Sequence, residues 1–330
     1  MCTAITLQSA GGENVFARTM DFSYDIQPHL YAVPRNFVWN NAPNGRYNRD
    51  RYSFMGIGQQ LGSLLGFFDG VNEKGFAAAS LYFAGYAQYA TAGSNSSAIP
   101  VASYDFLHYI LGSCSSVEEL ISQLGSVQIV GMPDPVTQTV APLHWIATDR
   151  TGRCVILEPA GDRLLAYNNP IGVLANSPDF PWHMTNLRNY TEASPRQTEE
   201  AFWGSVQLTP FGQGGGTDTL PGGYTSPQRF VRTAYLKTHI PQPGNGEKAV
   251  LSCFQILKSV SIPKGAVVTA RGTDDYTRYT ASLNASTGEY YFNTYENPQI
   301  RKAHFHADNA ASGSLIDLGS LAQPVSFEQM

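Results

Sequence analysis

A cysteine directly follows the initiator methionine, in the stretch MCTAITL. If an aminopeptidase removes Met1, Cys2 becomes the first residue and carries a thiol and a free α-amine together. The amine titrates near ~7.8 and the thiol near ~8.5, so at neutral pH the amine can accept the thiol proton directly or through water. We therefore interpret Cys2 as a candidate nucleophile that supplies its own base. The alternative is that Cys2 is a small apolar side chain on a buried strand.

Two charged residues are expected beside Cys2 because residues 2–22 predict a β-hairpin. CTAITLQ alternates, SAGG supplies a turn, and ENVFARTMDF alternates back. A turn centred on SAGG gives paired positions that sum to about 20 or 21, so Cys2 lies opposite Arg18 or Thr19. Arg18 would then stabilise a thiolate, and Asp21 would hold the α-ammonium. Without Cys2, the same two residues would be interpreted as a strand-end ion pair.

Helices are predicted where a cap and an apolar period agree. SSVEELISQLG has Ser116 as its N-cap and Glu119 three residues later, and residues 101–112 predict a helix before it. SPQRFVRTAYLKTHI predicts a helix with Ser226 at the N-cap and Pro227 at the first position, and GEKAVLSCFQILKSV predicts another.

Strands are predicted in blocks before, between and after these helices. PLHWIATDRTGRCVILEPAGDRLLAYNNPIGVLANSP indicates four antiparallel strands, with Asn176 at the far end of the last. AVVTARG, YTRYTASL and EYYFNTYEN indicate further strands. Blocks of this kind favour an α+β fold of layered antiparallel sheets over a parallel, doubly wound sheet. No repeat or interdomain linker is visible, so we expect one domain over residues 1–330.

Composition excludes several classes of partner. Hydrophobic residues make up 42% of the 330 residues, charged residues make up 14%, and the net charge is -5. No Lys/Arg stripe is present, so neither nucleic acid nor a membrane surface is expected as a partner. Residues 75–104 carry no charge, but polar residues interrupt them too often for a membrane span.

The four cysteines indicate reduced thiols rather than a disulfide framework. They have no CxxC spacing, and the first 30 residues lack the unbroken apolar segment of a secretory signal. We therefore expect a cytoplasmic protein without a metal site or other cofactor. A Cys-His protease is disfavoured because no histidine lies near a cysteine in a signature of that class.

Several long stretches resemble one known family. MCTAITL with ARTMDF, DGVNEKG, LANSPDFPWH, LTPFGQGGGTDTLPGGYTSPQRFVRTAYLK and YTRYTASL resemble the cholylglycine hydrolase family, in order from residue 2 to about residue 300. The group includes penicillin V acylases and conjugated bile salt hydrolases. The resemblance implies an N-terminal nucleophile hydrolase with a four-layer αββα sandwich, two antiparallel sheets lying between helical layers. It also implies hydrolysis of a non-peptide amide in a small molecule, no cofactor, and a homotetramer.

The resemblance assigns roles to individual positions. Asn176 in LANSP would donate its side-chain amide to the oxyanion, and Tyr82 would donate a backbone N–H to the same oxyanion. Arg229 in SPQRF would be a second arginine of a site that also holds Cys2, Arg18 and Asp21. Without the resemblance, Asn176 would be interpreted as a turn residue and Arg229 as solvated surface.

The segment LYFAGYA carries the prediction of substrate. Bile salt hydrolases of this family usually read Leu-Asn-Phe there, and penicillin V acylases usually read Leu-Tyr. Tyr82 offers an aromatic face to a flat phenoxyacetyl group, so we predict penicillin V acylase activity. The alternatives are hydrolysis of conjugated bile salts or of N-acyl-homoserine lactones. A catalytically silent binding protein on the same scaffold is an alternative of a different class.

Overall fold

The computed structural model describes residues 1–330 except 63, 92–96, 135, 136, 306–309, 328 and 330. The described residues form these strands: β1 Cys2–Gln8, β2 Asn14–Phe22, β3 His29–Val33, β4 Val38–Asn41, β5 Arg46–Arg49, β6 Phe54–Leu61, β7 Leu64–Asn72, β8 Ala77–Tyr82, β9 Gln88–Tyr89, β10 Ile99–Ala102, β11 Val127–Val130, β12 Leu143–Thr148, β13 Cys154–Gly161, β14 Arg163–Asn168, β15 Val173–Leu174, β16 Ala201–Trp203, β17 Val206–Leu208, β18 Tyr276–Asn284, β19 Glu289–Thr294, β20 Arg301–His304 and β21 Ile316–Ser320.

The α-helices of the described residues are α1 Phe106–Ser113, α2 Val117–Gln123, α3 Phe180–Asn186, α4 Ser226–His239 and α5 Gly246–Lys258. Short 3-10 helices span Leu124–Ser126, Leu187–Tyr190 and Gly215–Thr217. None of the helices in the described part of the chain is long and apolar enough to cross a membrane.

Two antiparallel sheets form the centre of the fold. One has the strand order β15-β1-β2-β18-β19-β20, and the other has the order β14-β13-β12-β8-β7-β6-β3-β21, with β9 beside β13. Strands β1 and β2 pack against β8, helices α4 and α5 pack on the first sheet, and α1 packs on the second. The αββα sandwich expected from the resemblance is confirmed.

Alternation along β8 shows how the sequence separates the layers. Ala77, Ala79 and Leu81 belong to the apolar core that includes β1 and β2, whereas Ala78 belongs to the core beneath α1. Successive side chains of a strand point to opposite faces, so a strand buried on both faces reads as a continuous apolar run. The stretch FAAASLYF therefore marks the centre of the second sheet.

The N-terminal hairpin forms as expected, but its register differs from the prediction. Cys2 lies opposite Met20 and Ala4 lies opposite Arg18, so paired positions sum to 22. The turn is one residue longer than expected because Ser9 N–H donates to the Glu13 carbonyl. Arg18 is thus a diagonal neighbour of Cys2 on the same face of the sheet.

The fourth strand of the predicted antiparallel run lies in the other sheet. Strands β12, β13 and β14 are neighbours, but β15 pairs with β1, with Leu174 opposite Ala4 and Val173 opposite Ile5. The turn residues between β14 and β15 carry the chain from one sheet to the other. This crossing places Asn176 beside the start of β1.

Helix boundaries were predicted within a few residues. Ser116 caps α2 by accepting from Glu119 N–H, as expected. Helix α4 has Thr225 rather than Ser226 as its N-cap, in a capping box with Gln228. Helix α1 begins at Phe106, later than predicted, because β10 takes the residues before it.

Two further segments departed from the prediction. AVVTARG was predicted as a strand, but within the described residues it forms a turn with one bridge between Val268 and Asp274. Helix α3 was not predicted, although Asp179 caps it by accepting from Trp182 N–H and Pro181 stands in its first turn.

Candidate active site

Cys2 and Arg18 form the centre of the site. An Arg18 guanidinium nitrogen, Nη2, donates to Cys2 Sγ at 2.8 Å and also lies 3.2 Å from Met20 Sδ. Cys2 is 4% exposed and Arg18 is fully buried. The Arg18 guanidinium is thus placed to interact directly with the sulfur of Cys2, whose thiolate is the nucleophilic form of cysteine.

A buried carboxylate holds Arg18 from the other side. Arg18 Nη1 lies 3.4 Å from Asp69 Oδ2 and donates to the Phe68 carbonyl at 2.9 Å. Asp69 also accepts from the hydroxyls of Tyr279, at 2.6 Å, and Tyr290. Burial raises the pKa of Asp69 to about 6, although Arg18 and the Tyr279 hydroxyl oppose this rise. The Asp69 carboxylate thus fixes the guanidinium that faces Cys2.

Sequence reasoning missed Asp69, Tyr279 and Tyr290. A signal for Asp69 was present, because a single carboxylate interrupts the apolar, glycine-rich strand LLGFFDGVN. The two tyrosines lie on β18 and β19, far from Asp69 in sequence, and no local pattern pairs them with it.

Asn176 and Arg229 meet at the backbone of Cys2. Cys2 N–H donates to Asn176 Oδ1 at 2.8 Å, and Arg229 Nη2 donates to the same oxygen at 2.6 Å. Arg229 Nη1 donates to the Cys2 carbonyl and to the Thr3 hydroxyl. Arg229 lies in the first turn of α4, as expected, but it is fully buried rather than solvated.

The Asn176 amide nitrogen faces Tyr82. Asn176 Nδ2 donates to the Tyr82 carbonyl at 2.7 Å, so one of its two hydrogens is engaged. The second amide hydrogen remains for another acceptor. Tyr82 and Asn176 are therefore neighbours, as expected, and the Tyr82 carbonyl makes the contact between them. The predicted donation from the Tyr82 N–H to an oxyanion is a separate interaction.

Asn176 is itself anchored by α3 and α4. Its N–H donates to Ser226 Oγ at 2.8 Å, and its carbonyl lies 2.8 Å from His183 Nε2. Burial lowers the pKa of His183 to about 4, so this histidine is neutral near pH 7 and donates one hydrogen bond. Its ring stacks on Phe230 at 4.5 Å between centroids, which fixes the orientation of Asn176.

Asp21 points to the other face of β2. Its carboxylate accepts from Thr277 Oγ1 at 2.6 Å and from Thr19 Oγ1 at 3.2 Å, and it lies 3.9 Å from Arg229 Nη1. Burial raises the pKa of Asp21, and the charge of Arg229 opposes this shift. The carboxylate is thus held by hydroxyls and by the second buried arginine.

Met1 occupies a defined place in the structure. Its ammonium donates to the Asp21 carbonyl at 2.6 Å and lies 3.2 Å from an Asp275 carboxylate oxygen. The Asp21 main chain and Asp275 thus hold the ammonium of Met1, and a contact between the Asp21 side chain and the Cys2 α-ammonium of the processed chain stays a prediction. The nitrogen of Cys2 faces Asn176 Oδ1, an acceptor that the sequence did not indicate.

A largely apolar cavity of about 110 Å³, open to solvent, lies beside Cys2. Phe22 and Tyr82 stand at one side, with 5.8 Å between their ring centroids. The remaining apolar lining comes from Met20, Ile26, Leu61, Leu64, Phe67, Phe68, Tyr104, Ala141 and Leu143. Its lining suits the apolar part of a ligand.

The other three cysteines lack such surroundings. Cys114, Cys154 and Cys253 are free and buried, and burial raises the pKa of each thiol to about 12. They are therefore unreactive near pH 7. In the described residues, no three His, Cys, Asp or Glu side chains cluster as metal ligands would.

One known protein family matches almost the whole chain. The sequence model of the linear amide C–N hydrolases, choloylglycine hydrolase family, matches residues 2–317. The chain belongs to this family. The family recognised from the sequence and the predicted class of amide hydrolase are both confirmed.

Relatives of this choloylglycine hydrolase family member are mainly enzymes named for bile acids. It is 35% identical to the bile salt hydrolase/transferase of Clostridium perfringens over 94% of each chain. It is 34% identical to the conjugated bile acid hydrolase of Lactobacillus gasseri over 89% of this chain and 92% of that protein. The penicillin V acylase of Pectobacterium atrosepticum is 24% identical, over 92% of this chain and 81% of that one.

Solved structures agree with these relationships. The C2A variant of conjugated bile acid hydrolase from Clostridium perfringens has a TM-score of 0.92 at 32% identity, covering 100% of this chain and 99% of that chain. Penicillin V acylase from Agrobacterium tumefaciens has a TM-score of 0.77 at 22% identity, covering 97% and 92%, which shows a shared fold. The comparisons favour the predicted alternative, conjugated bile salts, over the preferred prediction of penicillin V.

Proposed function

We propose that this chain hydrolyses the amide bond of conjugated bile salts, with Cys2 as the nucleophile after removal of Met1. The observation that carries the proposal is the apolar lining of the cavity that reaches Cys2. A fused-ring acyl group would place its large apolar surface against this lining. The similarity to enzymes named for bile acids supports the same substrate class.

The proposed chemistry begins at sulfur. Arg18 stabilises the Cys2 thiolate, which attacks the amide carbonyl while the α-amine carries the proton taken from the thiol. The second amide hydrogen of Asn176 and the N–H of Tyr82 donate to the oxyanion that forms. Losing one such donor typically lowers the rate ~10²- to 10³-fold.

Collapse of the tetrahedral intermediate needs a proton on the departing nitrogen. The Cys2 α-ammonium donates it, the carbon–nitrogen bond breaks, and a thioester to Cys2 remains. The regenerated amine then activates a water molecule, which hydrolyses the thioester and restores the thiol. Arg229, which lies beside the Asp21 carboxylate, positions the Cys2 main chain. Every proton moves between groups on Cys2, water and substrate.

A second candidate activity is penicillin V hydrolysis. Tyr82 and Phe22 form an aromatic pair at the side of the cavity, and a phenoxy ring could pack against it. The same cavity could accept the chain of an N-acyl-homoserine lactone, the third substrate class expected from the sequence. Bile salts are favoured because the relatives at 34–35% identity are enzymes named for bile acids, whereas the penicillin V acylase is 24% identical.

The proposal is tested with protein whose intact mass shows that Met1 is absent. Glycocholate, taurocholate, penicillin V and a long-chain acyl-homoserine lactone are offered to this protein and to Cys2→Ala. We expect release of glycine and taurine to exceed the other reactions and to disappear in Cys2→Ala. Preference for penicillin V would overturn the bile salt assignment, and no hydrolysis of any substrate by processed protein would favour a binding protein.

We also propose that copies of the chain assemble, as the expected homotetramer requires. The hairpin β16–β17 exposes large apolar side chains, with Phe202 62% and Trp203 76% exposed. Neighbouring exposed apolar groups of this size are typical of a surface that a second chain covers. All four cysteines are free, as expected for the reducing cytoplasm that we propose as its location.

A further inference from the structure

A second, more polar cavity adjoins the apolar one. It is open to solvent, has a volume of about 320 Å³, and shares Phe22 and Tyr82 with the first cavity. Its charged lining residues are Arg271 and Asp275, and Met1 also lines it. The two cavities are neighbours through Phe22 and Tyr82, and Cys2 lines the first whereas Met1 lines the second.

The chemistry of the amide defines what each cavity receives. The acyl group stays with Cys2 Sγ, whereas the departing nitrogen must approach the Cys2 α-amine that protonates it. In the structure, Met1 is bonded to that same nitrogen. Loss of Met1 therefore frees space on the side of Cys2 where the departing amine must lie, and this space opens into the second cavity, which Met1 lines.

Arg271 is the cation of this cavity. Its Nη2 donates to Ser23 Oγ at 2.8 Å, and its guanidinium lies over the ring of Tyr24 at 3.9 Å. None of the ion pairs found among the described residues includes Arg271. A guanidinium has five N–H donors, so Arg271 is held in place by Tyr24 and Ser23 and keeps donors for an anion.

Asp275 gives the cavity a negative charge in addition to the positive charge of Arg271. It lies beside the Met1 ammonium and electrostatically favours the charged form of Arg229. A carboxylate there repels an anion and attracts an N–H group. The departing group is therefore oriented with its nitrogen near Asp275 and Cys2 and its anionic end near Arg271.

We propose that Arg271 binds the anionic end of the departing amine, the carboxylate of an amino acid or the sulfonate of an aminosulfonic acid. The inference rests on the proposed amide hydrolysis and adds a determinant of its substrate range. Arg271 is a binding residue for substrate, and its contact with the anion is made before and during the reaction.

The test compares substrates that differ only in the charge of the departing group. Glycocholate, taurocholate and the neutral glycinamide conjugate of cholate are given to processed wild type, Arg271→Gln and Arg271→Lys. Phenoxyacetyl-glycine and phenoxyacetyl-glycinamide are tested in the same way, so that the effect of Arg271 is measured with either acyl group. Arg163→Gln, an exposed arginine on β14, is the matched control for net charge.

We expect wild type to favour the anionic substrates, and Arg271→Gln to lower kcat/KM for them by ~3- to 10-fold through a higher KM. Hydrolysis of the glycinamide conjugate should be unchanged, Arg271→Lys should retain part of the preference, and Arg163→Gln should match wild type. Equal losses of kcat/KM on charged and neutral substrates would overturn the proposal that Arg271 binds the anionic end. If only the phenoxyacetyl pair is cleaved, the bile salt proposal fails while the subsite is still measured.

Discussion

Arg18 Nη2 and Cys2 Sγ lie 2.8 Å apart even though the two residues are not opposite each other in the hairpin. The long side chain of Arg18 reaches diagonally across the sheet past Met20 to the sulfur. The second terminal nitrogen of the guanidinium, Nη1, contacts Asp69 and the Phe68 carbonyl. The contact therefore depends on two sheets, since Cys2 and Arg18 belong to one and Asp69 to the other.

Replacing Arg18 should lower the reactivity of Cys2. In Arg18→Gln the positive charge beside sulfur is lost, so we expect iodoacetamide to alkylate Cys2 ~10- to 100-fold more slowly at pH 7. Arg18→Lys keeps a charge but loses the planar guanidinium, so its alkylation rate should lie between those of wild type and Arg18→Gln. Intact mass over time gives the rate. Alkylation of Arg18→Gln at the wild-type rate would remove Arg18 from the activation of the nucleophile.

Asp69 should set the acid limb of the activity profile. Burial raises its pKa to about 6, so the folded protein protonates Asp69 as the pH falls through that value. Arg18 then loses its negative partner and the alignment of its guanidinium weakens. We expect kcat to decline below pH 6 in wild type, and to be ~10-fold lower and flat there in Asp69→Asn.

A matched control separates this effect from a general loss of charge. Asp162→Asn removes an exposed carboxylate and should leave the profile unchanged. Circular dichroism at each pH confirms that Asp69→Asn is folded. An acid limb in Asp69→Asn identical to that of wild type would assign the limb to another group.

Removal of Met1 should act as a switch for activity and leave the fold unchanged. With Met1 in place, its ammonium is bound by Asp275 and Asp21 while Cys2 still contacts Arg18. A fusion that ends in a factor Xa site directly before Cys2 should therefore fold and yet hydrolyse no substrate, because its Cys2 nitrogen is an amide. Cleavage should start turnover, measured by glycine release on the same sample. Full activity before cleavage would exclude the α-amine as the base.

The sequence predicted the elements that carry the site better than the contacts between them. Alternation and caps located β1, β2 and α4, because these signals are local. The transfer of β15 to the other sheet has no local signal, since only long-range pairing with β1 decides it. The partnership of Asp69 with Tyr279 likewise depends on how two sheets stack, and it was not predicted.

The exposed hairpin β16–β17 should hold the assembly together. Trp203→Ser with Phe202→Ser removes two large apolar groups from its tip, and we expect the population of oligomers to shift toward monomer. Size-exclusion chromatography with light scattering at several concentrations measures the shift. Leu251→Ser, which changes an exposed apolar residue on α5, is the control. Unchanged mass in the double variant would place the interface elsewhere.

Asp105 should make stability depend on pH in a predictable direction. It precedes α1 without capping it, and its Oδ2 is buried with no hydrogen-bond partner among the described residues. Burial raises its pKa to about 7, while His108 opposes the shift. The folded state therefore binds this proton more tightly than the unfolded state, and the contribution of Asp105 to stability falls as the pH rises from about 4 to 7.

Asp105→Asn has no such proton to lose. The free energy of unfolding of Asp105→Asn minus that of wild type should increase by about 2 kcal/mol between pH 5 and pH 8. Urea unfolding at both pH values measures it, and the difference between variant and wild type cancels the other titrating groups. Asp162→Asn should show no such change. A constant difference for Asp105→Asn at both pH values would mean that Asp105 does not titrate in this range.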